Sequence, residues 1–357
     1  MEFGILGLEL SGKTTLFSLL TGHATDTTQH KREAHVGVAH VPDARLDTLT
    51  AMFKPKKHTP ATVKFVDVPG VTKGASQSLN LPELRQMDGL AVVVRGFASD
   101  AVPHPEGSVD PMRDLELLET EMLLADLSVV TNRLERIEKD IAKKKTPELQ
   151  TEKDLVVRFK AALEKGETLR GLDVHVEEEK YVKGFGLLTR KPMLVILNAG
   201  ESEAGDLAGA LERARFDRWK GKPHVAFSAV SAPIEQEIAA MSPEDQMEFL
   251  KGLGLPDRAL DRLLRAAYDL LGLMSFLTAG EDECRAWSIP KGTHAAKAAA
   301  AIHTDFEKHF IRAEVVPYQT LVEAGSFAHC KTHGTLRLEG RDYVVQDGDV
   351  VNFRVGA

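Results

Sequence analysis

The sequence has little cysteine, and this scarcity excludes two common kinds of stabilisation. Cys284 and Cys330 are the only two cysteines in 357 residues, and they lie far apart without the spacing of zinc ligands. Neither a disulfide framework nor a zinc site is therefore expected, and buried free thiols are the simpler interpretation.

The chain also lacks long apolar runs and an excess of positive charge. No uninterrupted hydrophobic segment is long enough to cross a membrane, so no membrane association is expected. The formal net charge of −8 argues against a broadly basic nucleic-acid surface, although it leaves room for a local basic patch. Because a glycine-bearing motif begins at Gly7, we expect no signal peptide and a cytoplasmic location.

The most informative segment is the amino-terminal one. Residues Gly7 to Thr14 fit the pattern G-x-x-x-x-G-K-[ST], between a short apolar strand and an amphipathic helix. Such glycines let successive main-chain N–H groups point at a phosphate, and the helix N-terminus adds partial positive charge. A glycine turn with a chance lysine is the alternative. The pattern predicts that nucleotide is bound by Leu10, Ser11, Gly12, Lys13, Thr14 and Thr15.

Two of these residues have more specific predicted roles. Lys13 is expected to reach the β- and γ-phosphates and to act in catalysis, and the Thr14 hydroxyl is expected to bind Mg²⁺. The second group predicted to hold Mg²⁺ is the carboxylate of Asp67, which ends an apolar strand and begins a D-x-x-G pattern. Gly70 of that pattern is predicted to place an N–H near the γ-phosphate. Val71 follows it and cannot orient an attacking water, so another group takes that role or hydrolysis is slow.

The residues predicted to select the base follow a later strand. Guanine-binding proteins use N-K-x-D at such a place, but here Asn198 is followed by Ala199, and Glu201 replaces the aspartate. This difference favours ATP over GTP, because adenine lacks the two guanine donors that a short aspartate accepts. From the residues alone, either Ser228-Ala229 or Ser231-Ala232 is suited to supply the N–H that closes the base pocket.

The order of apolar segments predicts an α/β fold with a mostly parallel sheet. The predicted nucleotide-binding domain covers residues 1–112 and 190–275, with an inserted helical domain at 113–189. Within the insertion, apolar residues recur at alternating spacings of 4 and 3, as in a coiled coil, at Leu123, Leu127, Val130, Leu134, Ile137 and Ile141. An antiparallel helical hairpin is therefore predicted; two ordinary surface helices packed on the sheet are the alternative.

The last predicted domain covers residues 276–357 and has a small α+β pattern of the β-grasp kind. A strand is predicted at 285–289, and a helix from Thr293, as N-cap, to Phe310. Asp347-Gly348-Asp349 is a turn signal before the final strand.

Together these segments resemble the YchF / Obg-like ATPase family of P-loop NTPases over nearly the whole chain. The resemblance rests on the P-loop and on residues 36–38, 42–46, 65–67, 73–75, 93–95 and 119–127. Its most specific part is carboxy-terminal, at 278–281, 284–287, 302–308, 310–314 and 339–350.

The resemblance implies a coiled-coil insertion, a C-terminal TGS domain and a hydrophobic residue after D-x-x-G, which Val71 satisfies. It implies ATP as the preferred nucleotide through Asn198 and Glu201, with Mg²⁺, and a base pocket closed by Ser231 and Ala232. It also implies association with the ribosome, through its large subunit, or with RNA. A monomer is expected.

The departures from the family lie at the catalytic end. The loop 76–80 is short and lacks the family's glycines, and Val92 stands where the family has a histidine. The first switch is short: the family's threonine ligand aligns near Lys31, and Thr27 and Thr28 are the candidate substitutes. In the P-loop, Leu10 replaces the family's asparagine.

Three functions are consistent with these patterns. The leading one is an ATP-dependent conformational switch, associated with the ribosome, that hydrolyses ATP slowly. The second is a nucleotide-binding scaffold without turnover, and the third is a GTPase of Obg type.

Overall fold

The computed structural model describes residues 1–22, 35–69 and 82–356. Contact density divides the chain into two compact units: residues 1–38 with 64–266, and residues 39–63 with 267–357. No helix in the described ranges is long and apolar enough to span a membrane.

Strands and helices alternate along the chain. The strands are β1 (Glu2–Leu6), β2 (His35–Val41), β3 (Lys57–Thr59), β4 (Ala61–Asp67), β5 (Gly89–Gly96), β6 (Met193–Ala199), β7 (Val225–Val230), β8 (Leu273–Thr278), β9 (Glu283–Pro290), β10 (Phe310–Pro317), β11 (Arg337–Glu339) and β12 (Asp349–Val355). The helices are α1 (Lys13–Thr21), α2 (Ala44–Phe53), α3 (Pro82–Gln86), α4 (Pro111–Lys143), α5 (Pro147–Glu164), α6 (Glu179–Val182), α7 (Leu207–Arg213), α8 (Ala232–Ala240), α9 (Pro243–Gly252), α10 (Ala259–Leu270), α11 (Ala295–Ala299), α12 (Thr304–Lys308), α13 (Tyr318–Ala324) and α14 (Phe327–Thr332).

The first sheet has the strand order β2-β4-β1-β5-β6-β7. The pairs β4–β1, β1–β5, β5–β6 and β6–β7 are parallel. The central strands β5 and β6 are almost entirely buried, as expected for parallel strands covered on both faces. The predicted α/β fold with a mostly parallel sheet is therefore confirmed.

Helices α4 and α5 form the inserted segment and run back against each other. Asp110 and Thr146 cap their N-termini by accepting hydrogen bonds from main-chain N–H groups in the first turn. The predicted apolar residues of α4 pack with Leu155, Phe159 and Leu163 of α5 in one cluster. Helix α4 also contacts β5, so this helix has contacts expected of both predicted arrangements. A coiled coil in the strict sense stays a prediction.

The second sheet has the strand order β11-β10-β12-β8-β9-β3. The hairpin β8–β9 is antiparallel, whereas β12 pairs with β8 in parallel at Val350 and Leu277. The outermost strand, β3, comes from the amino-terminal half and pairs in parallel with β9. The Thr59 hydroxyl donates a hydrogen bond of 2.6 Å to Glu283, and Phe53 packs against Phe327 with ring centroids 5.7 Å apart.

Residues 39–63 thus belong to the same compact unit as the C-terminal strands, which the sequence did not indicate. The predicted three-domain division (1–112 with 190–275, 113–189 and 276–357) stays a prediction, because two compact units do not delimit independently folding domains.

The helix predicted from Thr293 to Phe310 is wrong in detail. The chain forms two short helices there, α11 and α12, and Phe310 already begins β10. Thr293 is not the N-cap, because its hydroxyl donates to the Pro290 carbonyl at 2.6 Å and so closes a turn. His294 holds the N-cap position of α11, and the His303 ring accepts the Asp305 N–H at the start of α12.

Candidate functional site

The parallel strands of the first sheet bring the predicted site residues to one edge. Asp67 is the last residue of β4 and lies opposite Ile5 of β1. The glycine-bearing turn follows β1. Asn198 of β6 lies opposite Val230 of β7, and Ser231 follows that strand. In open α/β sheets, ligands bind outside the carboxyl ends of the strands, which is where these residues lie.

The turn between β1 and α1 depends on glycine at two positions. A Cβ at Gly7 would lie 2.4 Å from the Val93 carbonyl oxygen, so only glycine allows this close approach. Gly12 has φ +92°, and a Cβ there would lie 2.3 Å from the Asn198 side-chain nitrogen. Leu10 also has positive φ, at 60°, and its side chain is exposed. These positions therefore allow the tightly curled main chain that, in phosphate-binding turns, directs successive N–H groups at an anion.

Lys13 is the first residue of α1, and its side chain is buried. Its ammonium donates a hydrogen bond of 2.7 Å to the Leu8 carbonyl within the same turn. Burial lowers the pKa of Lys13 to about 8, although the nearby charges of Asp67 and Glu9 favour the charged form. Because burial disfavours the charge of the Lys13 ammonium, a bound anion in the turn would stabilise its protonated form.

Thr14 and Asp67 meet across the turn. The Thr14 hydroxyl donates to Asp67 Oδ2 at 2.9 Å, whereas the buried Oδ1 has no hydrogen-bond partner. Burial raises the pKa of Asp67 above its ordinary value, against the opposing effects of Thr14 and Lys13. An unpartnered carboxylate oxygen beside a hydroxyl is a donor set that suits Mg²⁺, whose remaining ligands in such sites are phosphate oxygens and water.

Mg²⁺ therefore fits these residues, although protein atoms alone do not make a complete cage. No group of three or more histidine, cysteine or acidic side chains suited to a metal occurs within 1–22, 35–69 and 82–356. The pairing of one threonine with one aspartate is what is expected where a nucleotide supplies the other ligands.

Asn198 is buried and bonded to protein at both ends of its amide. Its Nδ2 donates to the Ser11 carbonyl at 3.1 Å, and its Oδ1 accepts the Ala232 N–H at 3.2 Å. Asn198 therefore joins the glycine-bearing turn after β1 to the start of α8. The sequence predicted contact with nucleotide at this residue; the two-sided contact with protein was missed, because no local pattern marks it.

The two pairs proposed for the base pocket differ in position. Ser228 and Ala229 lie within β7, whereas Ser231 and Ala232 follow it at the N-terminus of α8. The Ser231 hydroxyl is buried and lacks a partner. Glu201 begins a short 3₁₀ turn after β6, and its side chain is exposed.

For some other predicted residues the structure gives only burial, and the rest lie outside the described residues. Thr15 lies in α1, half-buried, and the Ser11 hydroxyl is buried without a partner. Val92 is wholly buried in β5 beside Leu6. The following lie outside the described residues: Gly70, Val71, Thr27, Thr28, Lys31, 73–75 and 76–80.

Comparison with known proteins gives full-length matches. The chain is 40% identical to "Ribosome-binding ATPase YchF" of Bacillus subtilis (strain 168), over 98% of each protein. It is 38% and 37% identical to proteins of the same name from Haemophilus influenzae and Escherichia coli O157:H7, again over 98% of each. A family model named YchF-GTPase_C, described as a protein of unknown function, matches residues 273–356.

One solved structure resembles the whole chain. "Structure of the Schizosaccharomyces pombe YchF GTPase" matches with a TM-score of 0.84 and 28% identity. The match covers 99% of this chain and 97% of the yeast protein.

Proposed function

Because this chain belongs to the YchF family, we propose that it is an ATP-binding P-loop NTPase that acts as a nucleotide-dependent switch on the ribosome. Relatives at 37–40% identity carry the name ribosome-binding ATPase, and the yeast structure is called a GTPase. We also propose a cytoplasmic location, where a protein that associates with ribosomes meets this partner.

The contact between Thr14 and Asp67 is the observation that carries the proposal. Thr14 lies in the first turn of α1 and Asp67 at the end of β4, yet their side chains lie within hydrogen-bond distance with one carboxylate oxygen unpartnered. The buried ammonium of Lys13 lies in the same turn. A hydroxyl, a carboxylate and a cation at a helix N-terminus are together the groups that bind a magnesium triphosphate.

Each residue then has a distinct task in binding. Lys13 exchanges the Leu8 carbonyl for phosphate oxygens, and the main-chain N–H groups of residues 10–15 surround the anion. Thr14 and Asp67 would hold Mg²⁺, which would neutralise phosphate charge when bound. Gly70 is proposed to donate its N–H to the γ-phosphate, although it lies outside the described residues.

We propose that hydrolysis is slow. Val92 is a buried aliphatic residue at the position where the resemblance expects a histidine, and it has no group that can activate water. Val71 lacks one as well. A scaffold that binds nucleotide without turnover is therefore the second candidate.

Adenine is the proposed base because Ala199 and Glu201 replace the lysine and aspartate of guanine-binding proteins. Ser231 has an unpartnered hydroxyl beside the Ala232 N–H and is proposed to line the base pocket. A GTPase of Obg type remains the third candidate, since the yeast relative carries that name.

The remaining parts are proposed to bind the partner. The order β9-β8-β12-β10-β11, with a central parallel pair, supports assignment of the C-terminal unit as a β-grasp TGS domain. The hairpin of α4 and α5 is proposed as the coiled coil. The large ribosomal subunit or its RNA is the proposed partner, bound by a monomer.

Single-turnover hydrolysis of ATP and of GTP, with and without large ribosomal subunits, tests the proposal. We expect tighter binding of ATP, slow turnover, and none above background in Lys13→Ala. If the unsubstituted protein hydrolyses nucleotide no faster than Lys13→Ala, the result favours the scaffold. If it binds GTP but not ATP, the result favours the GTPase. Failure to bind either nucleotide would refute all three.

A further inference from the structure

Helix α8 carries a buried carboxylate that has no role in phosphate binding. Glu235 lies in the first turn of α8, and its side chain is only 3% exposed. Its main-chain N–H donates to the Ser231 carbonyl at 2.9 Å. The residue is therefore joined by one turn of helix to the pair proposed to close the base pocket.

The carboxylate of Glu235 binds the start of another helix. Oε1 accepts the Ala259 N–H at 2.8 Å and the Leu260 N–H at 3.4 Å, while Oε2 accepts Arg258 Nε at 3.2 Å. Free N–H groups at a helix N-terminus favour a negative charge, so Glu235 caps α10 from a distant part of the chain. Burial raises the pKa of Glu235, and these donors act against that rise.

Two buried anchors consequently hold the turn at Ser231 and Ala232 from opposite sides. On one side Asn198 joins the Ala232 N–H to the Ser11 carbonyl of the phosphate-binding turn. On the other, Glu235 joins the same helical turn to the N-terminus of α10. Buried polar side chains hold such positions firmly, because breaking the bond leaves unsatisfied partners.

We propose that Glu235 is a positioning residue for the nucleoside part of the ligand, acting by fixing the Ser231–Ala232 turn against α10. This inference rests on the proposed ATP site but assigns a new role to a residue outside it. The phosphate-binding turn has contacts of its own through Lys13, Thr14 and Asp67, so we expect loss of Glu235 to weaken binding of the base more than binding of the phosphates.

Comparison of ATP with inorganic tripolyphosphate separates these two contributions. Affinities of both ligands, with Mg²⁺, are measured by calorimetry for the full-length protein, Glu235→Ala and Glu235→Gln. We expect Glu235→Ala to bind ATP about 10-fold more weakly, the cost of one to two buried hydrogen bonds, and tripolyphosphate as tightly as before. Glu235→Gln keeps one acceptor for Ala259 and should lose less.

Glu152→Ala is the matched control, since Glu152 is also a buried helical carboxylate bound by an arginine, Arg133 at 2.7 Å, in the helical hairpin. It should change neither affinity. Unchanged ATP binding in both Glu235 variants overturns the inference, and so does equal weakening of both ligands, which indicates a merely structural role. If the unsubstituted protein binds neither ligand, the proposed function itself fails.

Discussion

The phosphate end and the base end of the candidate site are built in different ways. At the proposed phosphate end, the predicted ligand contacts come from a short contiguous turn and one aspartate, and within the protein Lys13 bonds to Leu8 and Thr14 to Asp67. At the base end, Asn198 of β6 and Glu235 of α8 fix the start of α8 through buried side-chain bonds, to Ala232 and to the N-terminus of α10. A compact motif therefore specifies the first, whereas tertiary packing specifies the second.

Removal of the buried cation should have the largest effect, confined to the phosphate end. We expect Lys13→Ala to bind ATP and tripolyphosphate roughly 100-fold more weakly, because charge-assisted hydrogen bonds to phosphate are lost. Lys220→Ala removes an exposed lysine paired with Glu212 and should change neither affinity. Calorimetric titration measures both. If Lys13→Ala keeps its affinity for ATP and tripolyphosphate, the proposed difference between the phosphate end and the base end is wrong.

Loss of the proposed metal ligand should weaken ATP binding less than loss of Lys13, and only when Mg²⁺ is present. We expect Asp67→Asn to weaken ATP binding about 10-fold when Mg²⁺ is present and to have little effect in a chelator, because the amide is a poor ligand for that ion. Asp126→Asn removes another buried carboxylate, one that binds Arg85 and Thr189, and serves as the control. An equal loss with and without Mg²⁺ would contradict a metal role for Asp67.

The lowered pKa of Lys13 predicts a pH dependence at the phosphate end. In the free protein its pKa is about 8, and bound phosphate raises it, so binding above pH 8 takes up a proton. Affinity should fall as pH rises from 8 to 9, by at most about 10-fold, and stay level below pH 8. Titrations in buffers of different ionisation enthalpy report the proton uptake. Lys13→Arg, which remains charged, should show no such dependence.

The smallest effect is expected at the base end. Glu201→Asp restores the shorter acid of guanine-binding proteins and should shift the ratio of ATP to GTP affinity toward GTP by about threefold, the worth of one exposed hydrogen bond. Glu203→Asp shortens a neighbouring acid that is paired with Arg213, and should leave the ratio unchanged. A shift in favour of ATP would contradict the proposed base selection.

The contrast between a contiguous motif and side-chain bonds between distant residues also explains how much of the structure the sequence could predict. The phosphate-binding turn follows from residue types at fixed spacing, since only glycine fits at Gly7 and Gly12. The parallel sheet follows from continuous apolar strands. The dual contact of Asn198 and the bonds of Glu235 could not be predicted, because they join residues distant in sequence. Short helices α11 and α12 were predicted as one, because residues 300–303, which separate them, contain no proline or glycine to mark the break.

Strand β3 has a consequence for synthesis on the ribosome. Thr59 of β3 and Glu283 of β9, which bond to each other, are 224 residues apart. At roughly 5–20 residues per second, the segment from 39 to 63 emerges on the order of 10 to 45 s before its sheet exists. During that interval β3 has no strand to pair with, because β9 is its partner. The C-terminal unit is therefore the last part of the chain that can complete its folding, and a fragment beginning at 273 would expose the edge of β9 that β3 covers.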